Sequence, residues 1–238
     1  MGEFFALLTA AFWASAVICF RLAGRHVPPL LLNLTRVAVS SVLLLGTMLV
    51  VGQPPWREAT GGQYALMITS GVVAIALADT LFHASLNRVG AGLTAIIECL
   101  YSPLTALFAF LILAERLTAG DLVGMVLVVA AVVLGSRTRL PDDVSGGTLL
   151  AGLALGALSM GALSVGIVIV KPVLDDQPVV YVTGVRQFAA LAALLPVVAV
   201  SPRDRDWRRL RALPRRSVLF ALLGTVLGSY LALLCWIA

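Results

Sequence analysis

Long apolar stretches alternate with short polar connections along the whole chain. An α-helix rises about 1.5 Å per residue, so about 20 apolar residues cross the hydrocarbon core of a bilayer. The pattern therefore predicts an all-α, polytopic membrane helix bundle. We place eight transmembrane helices at about residues 4–23, 29–51, 64–86, 91–114, 119–136, 147–170, 178–200 and 216–238.

The polar connections indicate how neighbouring segments turn. Pro28-Pro29 separates the first segment from the second, because a proline disfavours helical geometry in the residue before it. The short polar run Asn87 to Gly90 predicts a hairpin between the third and fourth segments. Pro103, within the fourth, cannot donate to the carbonyl of Cys99, which predicts a kink at that point.

Composition assigns the chain to the membrane class. Of its 238 residues, 60% are apolar and 12% charged, whereas soluble domains have about 25% charged residues. The formal net charge of +5 does not indicate nucleic acid, because Lys and Arg lie mainly between apolar segments, where they anchor helices. The three cysteines have no paired spacing, so we expect no metal site, disulfide framework or cofactor.

Ionisable residues lie inside the predicted hairpin. Asp79 and His83 are four residues apart on one face of the third segment, and Glu98 is in the fourth. A charge at mid-membrane costs about 2.5–3.5 kcal/mol, so it is tolerated where a partner or a wet cavity removes the cost. Asp79, Glu98 and Arg36 each lie about seven residues, roughly 10 Å, from the same membrane face. We therefore expect these three side chains to meet.

Two interpretations of this cluster stay open. In the first, Arg36, Asp79, His83 and Glu98 line a cavity in which an acid exchanges a proton or binds an amine of the cargo. In the second, a buried ion pair only fixes helix packing, or Arg36 merely extends to the interface.

Segments 6 to 8 repeat the pattern of segments 1 to 3. In each set a first helix is followed by a second with an arginine near its start, Arg36 or Arg186, and by a third with a glycine, Gly71 or Gly224. A unit of five helices is odd, so two such units would be inverted in the membrane. The predicted domains are residues 1–138, with five transmembrane helices, and residues 147–238, with three.

Several short motifs match a known family. They are Phe12 to Ser15, Arg36, Ala78 to Leu86, Tyr101 to Pro103, Glu115 to Thr118, and Gly224 to Tyr230. The most specific is a proline, Pro103, followed twelve residues later by Glu-Arg-Leu-Thr. On these residues the chain resembles the EamA-type family of the drug/metabolite transporter (DMT) superfamily.

The resemblance implies a ten-helix carrier built from two inverted five-helix repeats and working by alternating access. Eight of those helices are present, so the second repeat is expected to be incomplete and the chain a fragment. The residues expected to bind cargo or couple transport are Asn33, Arg36, Asp79, His83, Glu98, Tyr101 and Arg186.

The expected function is secondary transport of small organic metabolites or drugs across the cytoplasmic membrane, with proton coupling left open. The alternatives are a non-transporting membrane subunit and an intramembrane lipid-modifying enzyme. An enzyme is disfavoured because the sequence has no HExxH pair, phosphate loop or GxSxG elbow. The expected partners are a small-molecule substrate and the lipid bilayer, with no nucleic acid and with a homodimer left open.

Overall fold

The computed structural model describes residues 2–52, 57–138, 145–201 and 213–237. Within these ranges every regular element is helical. We number the α-helices in chain order and name the two π-helical segments π1 and π2. The elements are α1 Gly2–Ala23, α2 Pro29–Val50, α3 Gly61–Ser70, π1 Gly71–Leu77, α4 Ala78–Glu98, α5 Tyr101–Leu113, α6 Ala119–Thr138, α7 Gly146–Asp176, α8 Val179–Val200, α9 Arg215–Gly224, π2 Thr225–Leu231 and α10 Ala232–Ile237.

The predicted fold class is confirmed. Seven helical stretches among the described residues are long and apolar enough to cross a membrane, the third being the run 61–98, which is interrupted at Gly90. The shorter apolar helix α5 is the eighth element of the predicted set. The chain is therefore a multi-pass, all-α membrane bundle.

The turn predicted between the third and fourth segments is confirmed, at Gly90. Helix α4 is broken at Gly90, whose φ of 81° and ψ of 169° are not helical. Glycine tolerates this conformation because it has no Cβ. A Cβ added to Gly156 would contact both Ser85 and Ile97, which a straight helix would hold about 18 Å apart. The chain therefore turns back between these two residues.

The fourth segment is also interrupted at Cys99 and Leu100, just before the proline of α5. Pro103 lacks the N–H that would continue the helix across this point.

The sixth segment extends beyond its predicted end. Helix α7 continues to Asp176 and contains both Lys171 and Pro172, which the sequence pattern had placed in a connection. Lys171 pairs with Glu115, which lies in the non-helical stretch after α5, at 2.5 Å. Both side chains are about half exposed, so this pair contributes little to stability, of the order of 0–1 kcal/mol.

Two π-helical segments occupy similar places in the chain. Each has seven residues and directly follows a ten-residue α-helix, π1 after α3 and π2 after α9. A π-helix widens the turn and is frequent at functional sites. The glycines that were matched between the two halves, Gly71 and Gly224, lie at the start of π1 and immediately before π2.

The two halves pack on each other reciprocally. Helix α3 and segment π1 contact α7 and α8, whereas α9 and π2 contact α1 and α2. The third element of each half therefore packs against the first two elements of the other half. Two related units would pack in this reciprocal way, so the contacts support the predicted repeat. The division into two domains stays a prediction.

Serine hydroxyls hold α7 against the elements that carry the polar cluster. Ser70 donates to the carbonyl of Gly166 at 2.5 Å, and Ser85 donates to that of Gly152 at 2.8 Å. From the other side, Ser159 donates to the carbonyl of Ala78 at 2.7 Å. Such bonds between helices, with small residues at the contact, replace the hydrophobic driving force that is absent in lipid.

Candidate functional site

A central cavity lies where the two halves meet. Its volume is about 390 Å³, and α1, α2, π1, α5, α7, α8, π2 and α10 all contribute to its wall. We call it the first lobe. Its polar and charged lining includes Arg36, Arg186, Tyr101, Thr183, Gln187 and Ser229.

A second lobe of about 540 Å³ adjoins the first. The two share Trp13, Arg36, Tyr101 and Leu163 as wall residues. The acidic residues Asp79 and Glu98 line the second lobe. The bundle thus contains a space with two compartments whose mostly apolar walls carry a few charged side chains, and Arg36 faces both of them.

Arg36 is the centre of the hydrogen-bond network. It lies within two turns of the start of α2, which begins with Pro29 after a proline at the cap. Its Nη2 forms an ion pair with Asp79, and its Nη1 donates to Ser229 Oγ at 3.0 Å. Its Nε and Nη2 both donate to Asn33 Oδ1, at 3.2 and 3.0 Å. Every guanidinium nitrogen of this buried arginine therefore has an acceptor.

Asn33 supports this arrangement from behind. It is completely buried and lies outside the described linings of both lobes. Its Nδ2 donates to the carbonyls of Ile75 and Ala76, at 2.9 and 3.2 Å, and to Thr80 Oγ1 at 3.0 Å. One amide therefore connects α2 to π1 and orients Arg36 at the same time. This geometry makes Asn33 a positioning residue rather than a residue that faces the cavity.

Glu98 occupies the last position of α4 and faces the second lobe. Its Oε1 accepts a hydrogen bond from Trp13 Nε1 at 2.8 Å. In the described part of the chain, no arginine or lysine forms an ion pair with it. Tyr101 opens α5 just after the break and lines both lobes.

The structure separates His83 from the expected cavity cluster. Its ring is 1% exposed and packs edge-on against Phe20, with a centroid distance of 5.0 Å, and against Phe82 at 5.7 Å. Neither ring nitrogen has a hydrogen-bond partner among the described residues. Four residues turn a helix by about 400°, so His83 is rotated by about 40° from Asp79. Phe82 is rotated by about 60° in the opposite sense. The ring of His83 contacts Phe20 of α1, whereas Phe82 lines the second lobe.

Arg186 lies on α8 and lines the first lobe. It is 9% exposed, and its buried Nε has no acceptor in the described part of the chain. Asp79 and Tyr101 are near enough to act on it electrostatically. Its backbone packs closely on π1, because a Cβ added to Gly71 would overlap the Arg186 carbonyl oxygen.

Sequence reasoning missed several residues of the lining. Trp13 and Ser229 were within the matched motifs, but no site role was assigned to them. An indole N–H in the middle of an apolar helix needs an acceptor, and this requirement could have identified Trp13. Gln187 lies beside Arg186 and donates to Ser40 Oγ, which joins α8 to α2. An amide side chain in a transmembrane segment also needs a hydrogen-bond partner, and this requirement could have identified Gln187.

Comparison with known proteins gives the family. The sequence profile of the EamA-like transporter family matches residues 1–137, which is more than half of the 238 residues and covers α1 to nearly the end of α6. No curated protein matches the chain. The resemblance expected from the motifs is thus confirmed, and the chain belongs to the EamA-like transporter family of the DMT superfamily.

Proposed function

We propose that this protein is a secondary carrier that moves small organic molecules across the cytoplasmic membrane by alternating access. The observation that carries the proposal is the two-lobed space, with charged side chains in its wall, between the reciprocally packed halves. Carriers built from internal repeats bind cargo at the interface between the repeats, near the middle of the bilayer. Membership of a transporter family supports this assignment over catalysis.

The charges of the second lobe suggest what couples to the cargo. Asp79 and Glu98 are both in its wall, but among the described residues only one arginine, Arg36, is there to balance them. With both acids ionised, the lobe carries one negative charge in excess. A proton or an ammonium group of the cargo would balance it. We therefore assign cation or proton exchange to Glu98, since the carboxylate of Asp79 already has an ion-pair partner.

In our proposal, two elements in the wall of the first lobe move during transport. The π-helical segments π1 and π2 both contribute to the wall of the first lobe, through Ile75, Gly228 and Ser229. π-helical turns inside α-helices are frequent at functional sites. In our proposal, the two segments reorganise as the halves rock against each other.

Uptake into vesicles tests the proposal. Proteoliposomes containing the full chain are offered a mixture of small metabolites, and their contents are analysed by mass spectrometry. We expect the wild-type protein to accumulate a subset of the mixture, and Asp79→Asn and Glu98→Gln each to reduce this at least about tenfold, which corresponds to the loss of one charged contact. Asp175→Asn, at an exposed position near the end of α7, is the matched control. Uptake that is unchanged in both site variants would overturn the proposal.

A further inference from the structure

Arg186 is a buried cation with unused hydrogen-bond donors. Its side chain lines the first lobe, and only 9% of the residue is exposed. Among the described residues, its guanidinium forms neither an ion pair nor a hydrogen bond, and its Nε is buried without an acceptor. A guanidinium carries five N–H donors and stays charged in proteins. A side chain of this kind needs an anion.

The residues that the structure describes do not supply that anion. Asp79 is the acid that acts on Arg186 electrostatically, but its carboxylate forms its ion pair with Arg36. Two guanidiniums therefore share one carboxylate. The other polar residues in the wall of the first lobe, such as Thr183 and Gln187, are uncharged. The first lobe consequently has one positive charge in excess, opposite to the excess in the second lobe.

Comparison with Arg36 argues against a purely structural role. The two arginines hold matched positions in the two halves and face the same lobe. Arg36 has acceptors from Asn33, Ser229 and Asp79, so it fixes three elements together. Arg186 makes no such connection in the described chain. A buried charge without a partner is destabilising, so its presence is best explained by a ligand.

We propose that Arg186 is the binding subsite for a carboxylate group on the transported molecule. This inference rests on the proposed function and specifies its substrate class. One excess positive charge matches a monovalent anion better than a phosphate dianion. A carboxylate also fits the planar fork of a guanidinium through two parallel hydrogen bonds. Ser229, which already accepts from Arg36, lies in the same wall and can contact the bound group.

The remaining wall of the first lobe determines the body of the ligand. Trp13, Ile75, Leu163, Ile167 and Leu233 line it with apolar surface. The volume of about 390 Å³ limits the ligand to a small molecule. The cargo is accordingly an organic monocarboxylate with an apolar body that packs against these side chains.

Ligand-induced stabilisation of the full chain in detergent micelles tests the subsite. The probes are four carboxylates of increasing size, namely acetate, butanoate, phenylacetate and 4-phenylbutanoate, and their four uncharged amides. Thermal unfolding is followed as each probe is titrated. We expect at least one carboxylate to bind at least about tenfold more tightly than its amide, because a hydrogen bond to a charged group is lost in the amide.

Three variants assign the effect to the residue. Arg186→Gln should abolish the preference for the carboxylate, and Arg186→Lys should keep part of it because the charge remains. Arg88→Gln is the matched control, since Arg88 is exposed on α4 and its one hydrogen bond within the described residues goes to the carbonyl of Ala84 in its own helix. It should leave the preference unchanged.

The outcomes separate this inference from the proposed function. If no carboxylate binds more tightly than its amide, or if Arg186→Gln retains the preference, the subsite is overturned. Uptake of cationic or neutral compounds without any preference for carboxylates would overturn the subsite and leave the carrier in place. Conversely, Arg186-dependent binding of a carboxylate that is never accumulated by vesicles would support the subsite and contradict the carrier.

Discussion

Arg36 on α2 forms a buried ion pair with Asp79 on α4, and the same guanidinium also donates to Ser229 on π2. A single side chain therefore connects the two halves of the bundle at the wall of the central cavity. An ion pair that only fixed packing could lie anywhere in the core. This one lies at the boundary of both lobes, where cargo that competes for Asp79 or Arg36 would loosen the contact between the halves.

The first prediction concerns the energetics of this pair. Asp79→Leu should lower the free energy of unfolding by about 3–5 kcal/mol, because it leaves the buried charge of Arg36 uncompensated. The double variant Arg36→Met with Asp79→Leu should be at least about 1 kcal/mol more stable than that single variant, since it removes both charges. Unfolding in mixed micelles with increasing denaturing detergent measures both quantities. The single variant Arg36→Met completes the cycle, and a double variant that loses the sum of the effects of Asp79→Leu and Arg36→Met would show that the residues do not interact.

The second prediction concerns the close approach of π1 and α8. Gly71→Ala would drive a Cβ into the Arg186 carbonyl oxygen, which is backbone and cannot rotate away. The helices must separate, at a cost of about 1–3 kcal/mol. We also expect weaker binding at Arg186, because its backbone would move. Unfolding in mixed micelles measures the loss of stability, and uptake measures the effect on binding.

A matched control for this substitution exists on α7. A Cβ added at Gly161 would meet no described atom within 4 Å. Alanine favours a helix over glycine by about 0.5–1 kcal/mol, so Gly161→Ala should be neutral or stabilising. Equal destabilisation by Gly71→Ala and Gly161→Ala would show that the close contact with Arg186 is not the reason why alanine is unfavourable at residue 71.

The third prediction joins Trp13 to Glu98. Trp13→Phe keeps an aromatic ring but removes the N–H that donates to Glu98 at 2.8 Å. If Glu98 acts through this contact, uptake should fall about tenfold, the equivalent of one hydrogen bond to a charged group. Once Glu98→Gln is present, the further loss caused by Trp13→Phe should be small. Fully multiplicative losses in the double variant would show that the two side chains act independently.

The polar cluster shows what a membrane sequence makes predictable. Arg36 and Asp79 could be paired from the sequence, because hydrocarbon penalises lone charges and the depth of a residue follows from its distance to a turn. The positions of the helices were predictable for a similar reason, since the thickness of the bilayer fixes the length of an apolar segment. Both arguments depend on the solvent and not on side-chain packing.

The π-helical segments could not be predicted in this way. The run Gly71–Leu77 is apolar throughout, and its composition fits an α-helix as well as a π-helix. Its carbonyls at Ile75 and Ala76 are bonded by Asn33, which is more than 40 residues away in the chain. The local sequence contains no signal of this contact. The same holds for Trp13 and Glu98, whose bond spans 85 residues.

The last prediction tests the position of His83. Its two ring nitrogens are buried without partners in the described chain, between aromatic rings of α1 and α4. Unsatisfied buried polar atoms cost about 1–3 kcal/mol, so an apolar replacement of similar shape should be neutral or stabilising. We expect His83→Phe, or His83→Leu if the larger ring is not accommodated, to keep uptake within about twofold of the wild type. The adjacent Phe82 lines the second lobe, so Phe82→Ala should reduce uptake in the same assay.

Loss of uptake in a folded His83 variant, with the stability unchanged, would instead place this ring in the transport pathway. In that case the first expectation from the sequence, which grouped His83 with Arg36, Asp79 and Glu98, would describe the working state of the carrier better than the packing seen around Phe20.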